Sequence, residues 1–313
     1  TLDVTAYKTY TENQLFSPEI STTTGYSKLY VNAGKVTNKG IELALGFKQN
    51  IGPVDWKTTL LWSLNRNRID QLLPEYTNEE LGVTVHLDEM DVYSLGGAKQ
   101  RLTVGGSMGD VYVNTMRTDE HGYIWMNSMT GTLETDKNNY VYAGNTNPKY
   151  TLSWRNEFNW KGISLGFMLN ARVGGIGVSA TQAVMDYYGV SKTSAEARDN
   201  GGVKVNGQMI DAQTWYQTIG ANGTGYVGSM YVYSMTNVRL GELTLGYDIP
   251  INKWCKWISG LNVSFVGRNL WMLYCKAPFD PESTASTGTY NQGMDYFMQP
   301  SLRSMGFSAK ISF

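Results

Sequence analysis

Apolar and polar residues alternate one for one along several stretches of this chain, and the last stretch keeps the pattern to its final atom. Over residues 302–313, Met305, Phe307, Ala309, Ile311 and Phe313 fall on one face of an extended strand and Ser304, Gly306, Ser308, Lys310 and Ser312 on the other. Chain ends ordinarily fray into polar residues, so a register kept up to a terminal Phe predicts an end that is itself paired and buried. At the other end Leu2, Val4 and Ala6 open a strand reaching about Thr11. Ile41, Leu43, Leu45 and Phe47 alternate with polar or small residues up to Asn50-Ile51-Gly52-Pro53, and Val54, Trp56, Thr58, Leu60, Trp62 and Leu64 resume beyond that turn, which predicts a hairpin. A second hairpin is expected from Tyr150–Trp160, Lys161-Gly162 and Ile163–Ala171. Val238 and Leu240 share one face while Leu243, Leu245 and Tyr247 share the other, so the one-residue slip at Gly241-Glu242 predicts a β-bulge. Leu261, Val263 and Phe265 carry the pattern on after a short turn.

The connections are as informative as the strands. Short turns at 50–53, 161–162 and 250–259 alternate strictly with long excursions at 12–38, 70–148, 174–235 and 272–301. Region 70–148 reads mainly as loop, with Val111–Thr115 its only strand-like patch, and 174–235 reads as irregular. A β-sandwich distributes long connections between both ends, whereas an outer-membrane barrel confines them to one. The first strand and both strands of the first hairpin are each long enough for the roughly 9–11 tilted residues that cross a bilayer. The expectation is an all-β chain: a transmembrane antiparallel β-barrel wall of about eight strands, even in number, with both ends on the short-turn side. Trp160, Trp254 and Trp257 then belong to the inner aromatic girdle, and Trp271 and Tyr274 to the outer one.

Composition narrows this picture without changing it. The 313 residues are 42% hydrophobic and 17% charged with a net charge of −1, which excludes disorder and offers no basic surface for nucleic acid. No run of 18 apolar residues occurs, which argues against helical spans but not against strands that are half polar. Thr1-Leu2-Asp3-Val4 already reads as strand and not as a signal peptide, so an upstream part is expected to be missing. Cys255 and Cys275 flank an extended segment of about 40 Å at ~3.3 Å per residue, which predicts two free thiols.

Five ordered stretches resemble the SusC-like TonB-dependent transporters of Gram-negative outer membranes. These are Tyr30–Leu43 (YVNAGKVTNKGIEL), Asn145–Tyr150 (NTNPKY), Val232–Tyr247 with its core Val238-Arg239-Leu240-Gly241-Glu242-Leu243, then Gly267-Arg268-Asn269-Leu270, and Phe279-Asp280-Pro281-Glu282. The resemblance implies that residues 1–313 are the C-terminal part of a larger plugged barrel of about 22 strands, its end strands pairing with the rest of the barrel. It also implies a SusD-like surface lipoprotein as lid, a plug and TonB contact in the missing part, and outer-membrane lipid as surroundings. Phe313 looks like the terminal aromatic read by barrel-assembly machinery.

Motifs for catalysis are weak. Gly105-Gly106-Ser107-Met108-Gly109 spells G-x-S-x-G, but no helical pattern follows it, and His86 and His121 lie in the wrong order and spacing for a hydrolase. Gly223–Gly228 spells G-x-G-x-x-G, yet leads into a β-rich run and not into a helix that could receive a pyrophosphate. No enzyme, cofactor or Cys/His metal site is expected. Substrate contact is expected from rings in the excursions: Trp125, Tyr140 and Tyr142; Tyr187, Tyr188, Trp215 and Tyr216; Tyr290, Tyr296 and Phe297. Glu42, Lys48, Lys57, Arg155, Glu157, Arg172 and Arg268 are expected to line the lumen, mostly as ion-pair partners. The resemblance favours import of oligosaccharides, with oligopeptides as the alternative; a self-contained structural or adhesin barrel is the rival.

Overall fold

The computed structural model describes residues 1–16, 30–79, 82–127, 132–223, 225–251, 254, 257–283, 285 and 290–313. The chain opens with β1 (Leu2–Phe16), β2 (Val31–Ile51) and β3 (Val54–Gln71). Six strands follow: β4 (Leu73–Asn78), β5 (Val83–Leu87), β6 (Glu89–Leu95), β7 (Ala98–Thr103), β8 (Asp110–Met116) and β9 (Thr135–Asn145). Next come the paired β10 (Tyr150–Trp160) and β11 (Ile163–Val173), then β12 (Ile176–Ser179), α1 (Ala180–Tyr187) and α2 (Lys192–Asp199). Beyond these lie β13 (Val203–Val205), β14 (Gln208–Ile210), α3 (Ala212–Gly220) and β15 (Val232–Ser234). The remaining strands are β16 (Asn237–Ile249), β17 (Gly260–Cys275), β18 (Met294–Asp295) and β19 (Ser304–Ser312).

Eight strands form one antiparallel sheet in the order β1-β2-β3-β10-β11-β16-β17-β19. Its register is set by the turns. Gly52, at φ +59°, supplies the first position of a two-residue hairpin that no β-branched residue could hold. At Lys161-Gly162 both residues are left-handed (φ +46° and +86°), the geometry of a type I′ turn. Gly241 is the extra residue between Leu240 and Glu242 against β11, which is the bulge the phase slip predicts, and the register against β17 shifts at the same place. The sheet is open among the described residues: β1 and β19 are its edges.

β2 and β3, at 21 and 18 residues, run well beyond a membrane's thickness. The excursions therefore begin later than the alternation suggests. Above the bilayer neither face has to be apolar, so the hydrogen-bond ladder continues where the pattern has faded. β19 pairs with β17 on one side, and as a sheet edge in this chain all of its residues are exposed, with Phe313 beyond it 89% exposed. An edge strand with its apolar side outward leaves those side chains uncovered by protein.

On the outward, apolar face Trp56, Phe158 and Phe167 stack in turn, with Trp154 edge-on to Phe167. Asn156 sits among these rings almost fully buried, and its Oδ1 accepts the Trp56 indole N–H at 3.1 Å. Trp56→Phe should keep the stacking and strand that carbonyl, lowering barrel stability by about 1–3 kcal/mol; an unchanged urea midpoint for the folded barrel would contradict this.

Regions 70–148 and 174–235, expected as loop, are largely folded. The first contains the hairpin β4-β5 and the four-stranded sheet β6-β7-β8-β9, with Val111–Thr115 inside β8; the second carries three helices. Ala98, Val111 and Val113 from one excursion, Val178, Ala183, Tyr226 and Tyr231 from the next, and Met294 from the last share one buried core. A second core joins Val31, Val36, Ile69 and Leu72 at the tops of β2 and β3 to Leu102. The excursions thus form a layer with its own interior, joined to the wall by side-chain packing.

Candidate functional site

Helix α1 organises the most exposed part of this layer. Ser179 caps it, accepting from the Gln182 N–H at 3.0 Å while donating its hydroxyl to Asp295 of β18 at 2.5 Å. Ala180 and Ala183 face the core. At its C-terminal end Tyr187 and Tyr188 meet edge to face at 5.1 Å. Beside them a cleft of about 180 Å³ is lined by Asp186, Tyr187, Tyr188, Ser194, Arg198 and Tyr216 among others. Asp186 is buried and accepts from Gln182 Nε2 (2.8 Å) and the Thr193 hydroxyl (3.2 Å). Burial, with the charge of Asp186, raises the Tyr216 phenol above its ordinary range. At the other end of α1, Tyr296 and Phe297 form a second edge-to-face pair at 5.1 Å, docked by the Phe297 N–H on the Thr181 hydroxyl at 2.7 Å. Phe297 has φ +50°, a conformation that bulky residues avoid, so its ring is held outward against a backbone cost. Ring faces, neutral phenols, a carboxylate and a guanidinium are suited to holding an extended polar chain.

The other expected contact rings divide. Tyr142 is exposed, edge to face with Tyr112 at 5.6 Å. Trp125 lies under Arg117 (4.4 Å), which also pairs with Glu134 at 2.6 Å, and Tyr140 lies under Lys99 (4.3 Å), which pairs with Asp91 at 3.0 Å. Those two rings brace the layer. Tyr290 packs against the second core, and Trp215 is buried in the first. A helix that turns one flank to the core buries residues that composition alone marks as loop aromatics.

The seven residues expected in the lumen share the polar face. Arg155 and Lys57 converge on Glu157 at 2.7 and 3.7 Å, Arg268 faces Glu242 at 3.7 Å, and Arg172 donates to the Thr146 carbonyl at 2.7 Å. Lys48 opposes Lys57, and Glu42 opposes Ser63. Sequence reasoning overlooked Arg239, which is buried on this face. It pairs with Asp280 at 3.0 Å and Glu282 at 3.5 Å and donates to Asn269 Oδ1 at 3.2 Å, while Asp280 accepts from the Ser301 N–H and hydroxyl. Three of the five motif stretches meet here, and their recurrence together was the available signal.

The apparent catalytic motif is structural. Gly105 and Gly106 exchange backbone hydrogen bonds with Ile69 at 2.8 Å, and the Ser107 hydroxyl donates to Asn67, so this turn fastens the layer to β3. His86 faces Asp88 and His121 faces Glu120. Tyr226, inside G-x-G-x-x-G, is fully buried with its hydroxyl on the Leu95 carbonyl at 2.6 Å. No cluster of three or more metal-ligating residues occurs among the described residues. Cys275 is a free thiol; Cys255 lies outside the described residues.

No family model matches the chain. It is 22% identical over 338 aligned positions to TonB-dependent receptor P3 of Formosa agariphila, covering 98% of this chain and 32% of that protein. Its fold matches the RagAB peptide transporter with a TM-score of 0.68 at 16% identity, over 98% of this chain and 33% of that one. The same RagAB peptide importer in an open-open state matches with a TM-score of 0.65 over 100% of this chain. The fold is that of part of a TonB-dependent receptor barrel. The chain spans about a third of the length of the proteins it matches, and the match takes in the layer as well as the wall. The receptor-barrel wall lies in the outer membrane of a Gram-negative bacterium, its apolar face toward lipid and its polar face toward the lumen. Trp160, Trp254 and Trp257, expected at the short-turn side, and Trp271 and Tyr274, expected at the opposite side, are all exposed.

Proposed function

We propose that this chain is the C-terminal part of the barrel of a SusC-like importer of about 22 strands, taking up oligopeptides by a TonB-driven cycle under a SusD-like lipoprotein lid. The open edges β1 and β19 support a larger barrel, since a self-contained adhesin barrel would pair them with each other. The observation that carries the reading is the likeness of wall and layer together to a peptide transporter. In this reading Tyr187, Tyr188 and Tyr216, with Tyr296 and Phe297, contact substrate, and the Arg239–Asp280 pair holds the last connection against the wall. Oligosaccharide import stands second, favoured by the exposed ring pairs, which suit the flat faces of sugars. Calorimetric titration of the full-length receptor and its lipoprotein with peptide and glycan libraries tests this. Binding of peptides of several residues is expected; binding of glycans alone would move the second reading to first, and binding of siderophores alone would reject both. Tyr187→Ala with Tyr188→Ala should weaken peptide binding about tenfold, on the scale of an aromatic pair.

A further inference from the structure

We infer that the cleft beside the C-terminal end of α1 takes a primary ammonium group of the imported oligopeptide, held by Asp186 among the rings of Tyr187, Tyr188 and Tyr216. The inference deepens the peptide-import reading and rests on it.

The charge of Asp186 is left uncompensated inside the protein. The residue is 4% exposed, and Gln182 Nε2 and the Thr193 hydroxyl, both neutral, donate to the same oxygen, Oδ1, at 2.8 and 3.2 Å. The phenols of Tyr216 and Tyr231, which burial and then this charge raise above their ordinary range, are neutral neighbours as well. The basic residues of α2, the helix that supplies Thr193, are committed elsewhere: Lys192 pairs with Glu196 at 3.6 Å, and Arg198 donates to the Gly189 carbonyl at 2.7 Å. The last turn of α1, whose carbonyl end favours a cation, contains no basic residue either. A buried carboxylate is ordinarily matched by a positive charge. Asp110, also buried and also beside a cleft, has donors on both oxygens and shares its slit with Arg66, Arg68 and Lys149.

The cleft decides which cation can complete Asp186. One carboxylate with neutral donors supplies too few hard oxygens for a divalent metal. Ring faces attract an ammonium within about 6 Å of their centroids, and Tyr187 and Tyr188, edge to face at 5.1 Å, line the cleft with Tyr216. At about 180 Å³ it is smaller than the ~300 Å³ and upward of a drug-sized pocket, so it admits a chain end or one side chain. A peptide offers two such cations, its free amino terminus and a lysine side chain. Arg198 and the first turn of α3, at Ala212 and Gln213, line the same cleft, and their N–H groups suit the carbonyl oxygens next to the ammonium.

The test is calorimetric titration of full-length receptor with its lipoprotein, using a lysine-free peptide library before and after N-acetylation. Wild-type protein should bind the free-amine library about thirtyfold more tightly, the lower end of the range for a buried, hydrogen-bonded charge pair. Asp186→Asn, which keeps an oxygen for Gln182 and Thr193, should bind both libraries as weakly as wild type binds the acetylated one. A purely structural role for Asp186 would instead weaken both libraries alike and leave the preference in place, and that result overturns the inference. Equal binding of the two libraries by wild type also overturns it, needs no variant to fold, and leaves peptide import standing. An N-acetylated library with a lysine in each peptide tells the two sources apart: recovered affinity assigns the ammonium to the side chain, and no recovery assigns it to the amino terminus. Binding of glycans and of no peptide rejects the import reading and this inference with it.

Discussion

Arg239→Met is expected to release the last long connection from the wall while the wall itself stays folded. Both partners of the Arg239–Asp280 pair are nearly inaccessible, with side-chain exposures of 6% and 10%. Removing the guanidinium leaves a buried carboxylate without its cation, a change that typically costs about 3–5 kcal/mol. Limited proteolysis of full-length receptor in outer-membrane vesicles reads this directly: cleavage within 276–303 should rise by two orders of magnitude or more, on the scale of about 3 kcal/mol. Arg239→Met combined with Asp280→Leu should recover part of the protection, because neither charge is then stranded.

The same pair carries a pH signature. Burial pushes the Asp280 carboxyl upward, but hydrogen bonds from the Ser301 hydroxyl, the backbone N–H groups of Glu282 and Ser301, and Arg239 outweigh it and hold the carboxyl below its ordinary value of 3.8. A carboxyl whose folded pKa is depressed stabilises the fold above its unfolded pKa, and that contribution is lost as pH falls through the folded value. Cleavage of the wild type should therefore increase below about pH 4, whereas Asp280→Asn should be more easily cleaved at neutral pH and show little further change on acidification. Cleavage that did not depend on pH in the wild type would contradict the pair's role.

Tyr226→Ala should unlock three of the four long excursions at once. This ring is fully buried where Ala98 and Val113, Val178 and Ala183, and Met294 meet, edge to face with Tyr231 at 5.7 Å. Gly96 and Gly97 have no room for a Cβ because Tyr226 occupies that space. Truncating a buried aromatic costs about 3–5 kcal/mol. Because the core is shared, hydrogen exchange should quicken together over 95–116 and 176–235, with β2, β3, β10 and β11 unchanged. Loss confined to residues next to 226 would mean that the excursions are independent. Tyr226→Phe, which keeps the ring and strands only the Leu95 carbonyl, should give the same pattern at about 1–3 kcal/mol.

How much could be read without coordinates differs by region, for a physical reason. In the bilayer, lipid imposes one polarity on one face, so Leu60, Trp62 and Leu64, or Leu243, Leu245 and Tyr247, declare their strand and its side, and Gly241 declares its bulge. Beyond the bilayer that constraint ends. β4–β9 are held by hydrogen bonds and by a core assembled from three distant segments, and no local period records such a core. For the same reason Trp215 could not be told from the exposed rings: its burial depends on α3 packing beside α1.

The amino-acid sequence by itself determined the antiparallel wall, its turns, its bulge, the two-faced distribution of side chains and the likeness to a receptor family, because membrane crossing writes a period of two into the chain. Only the tertiary structure decided that the excursions form one packed layer, that Arg239 rather than an exposed cation anchors it, and which aromatic rings are buried and which exposed. Each of these depends on which distant residues become neighbours, and that is settled by strand register and by burial in a shared core.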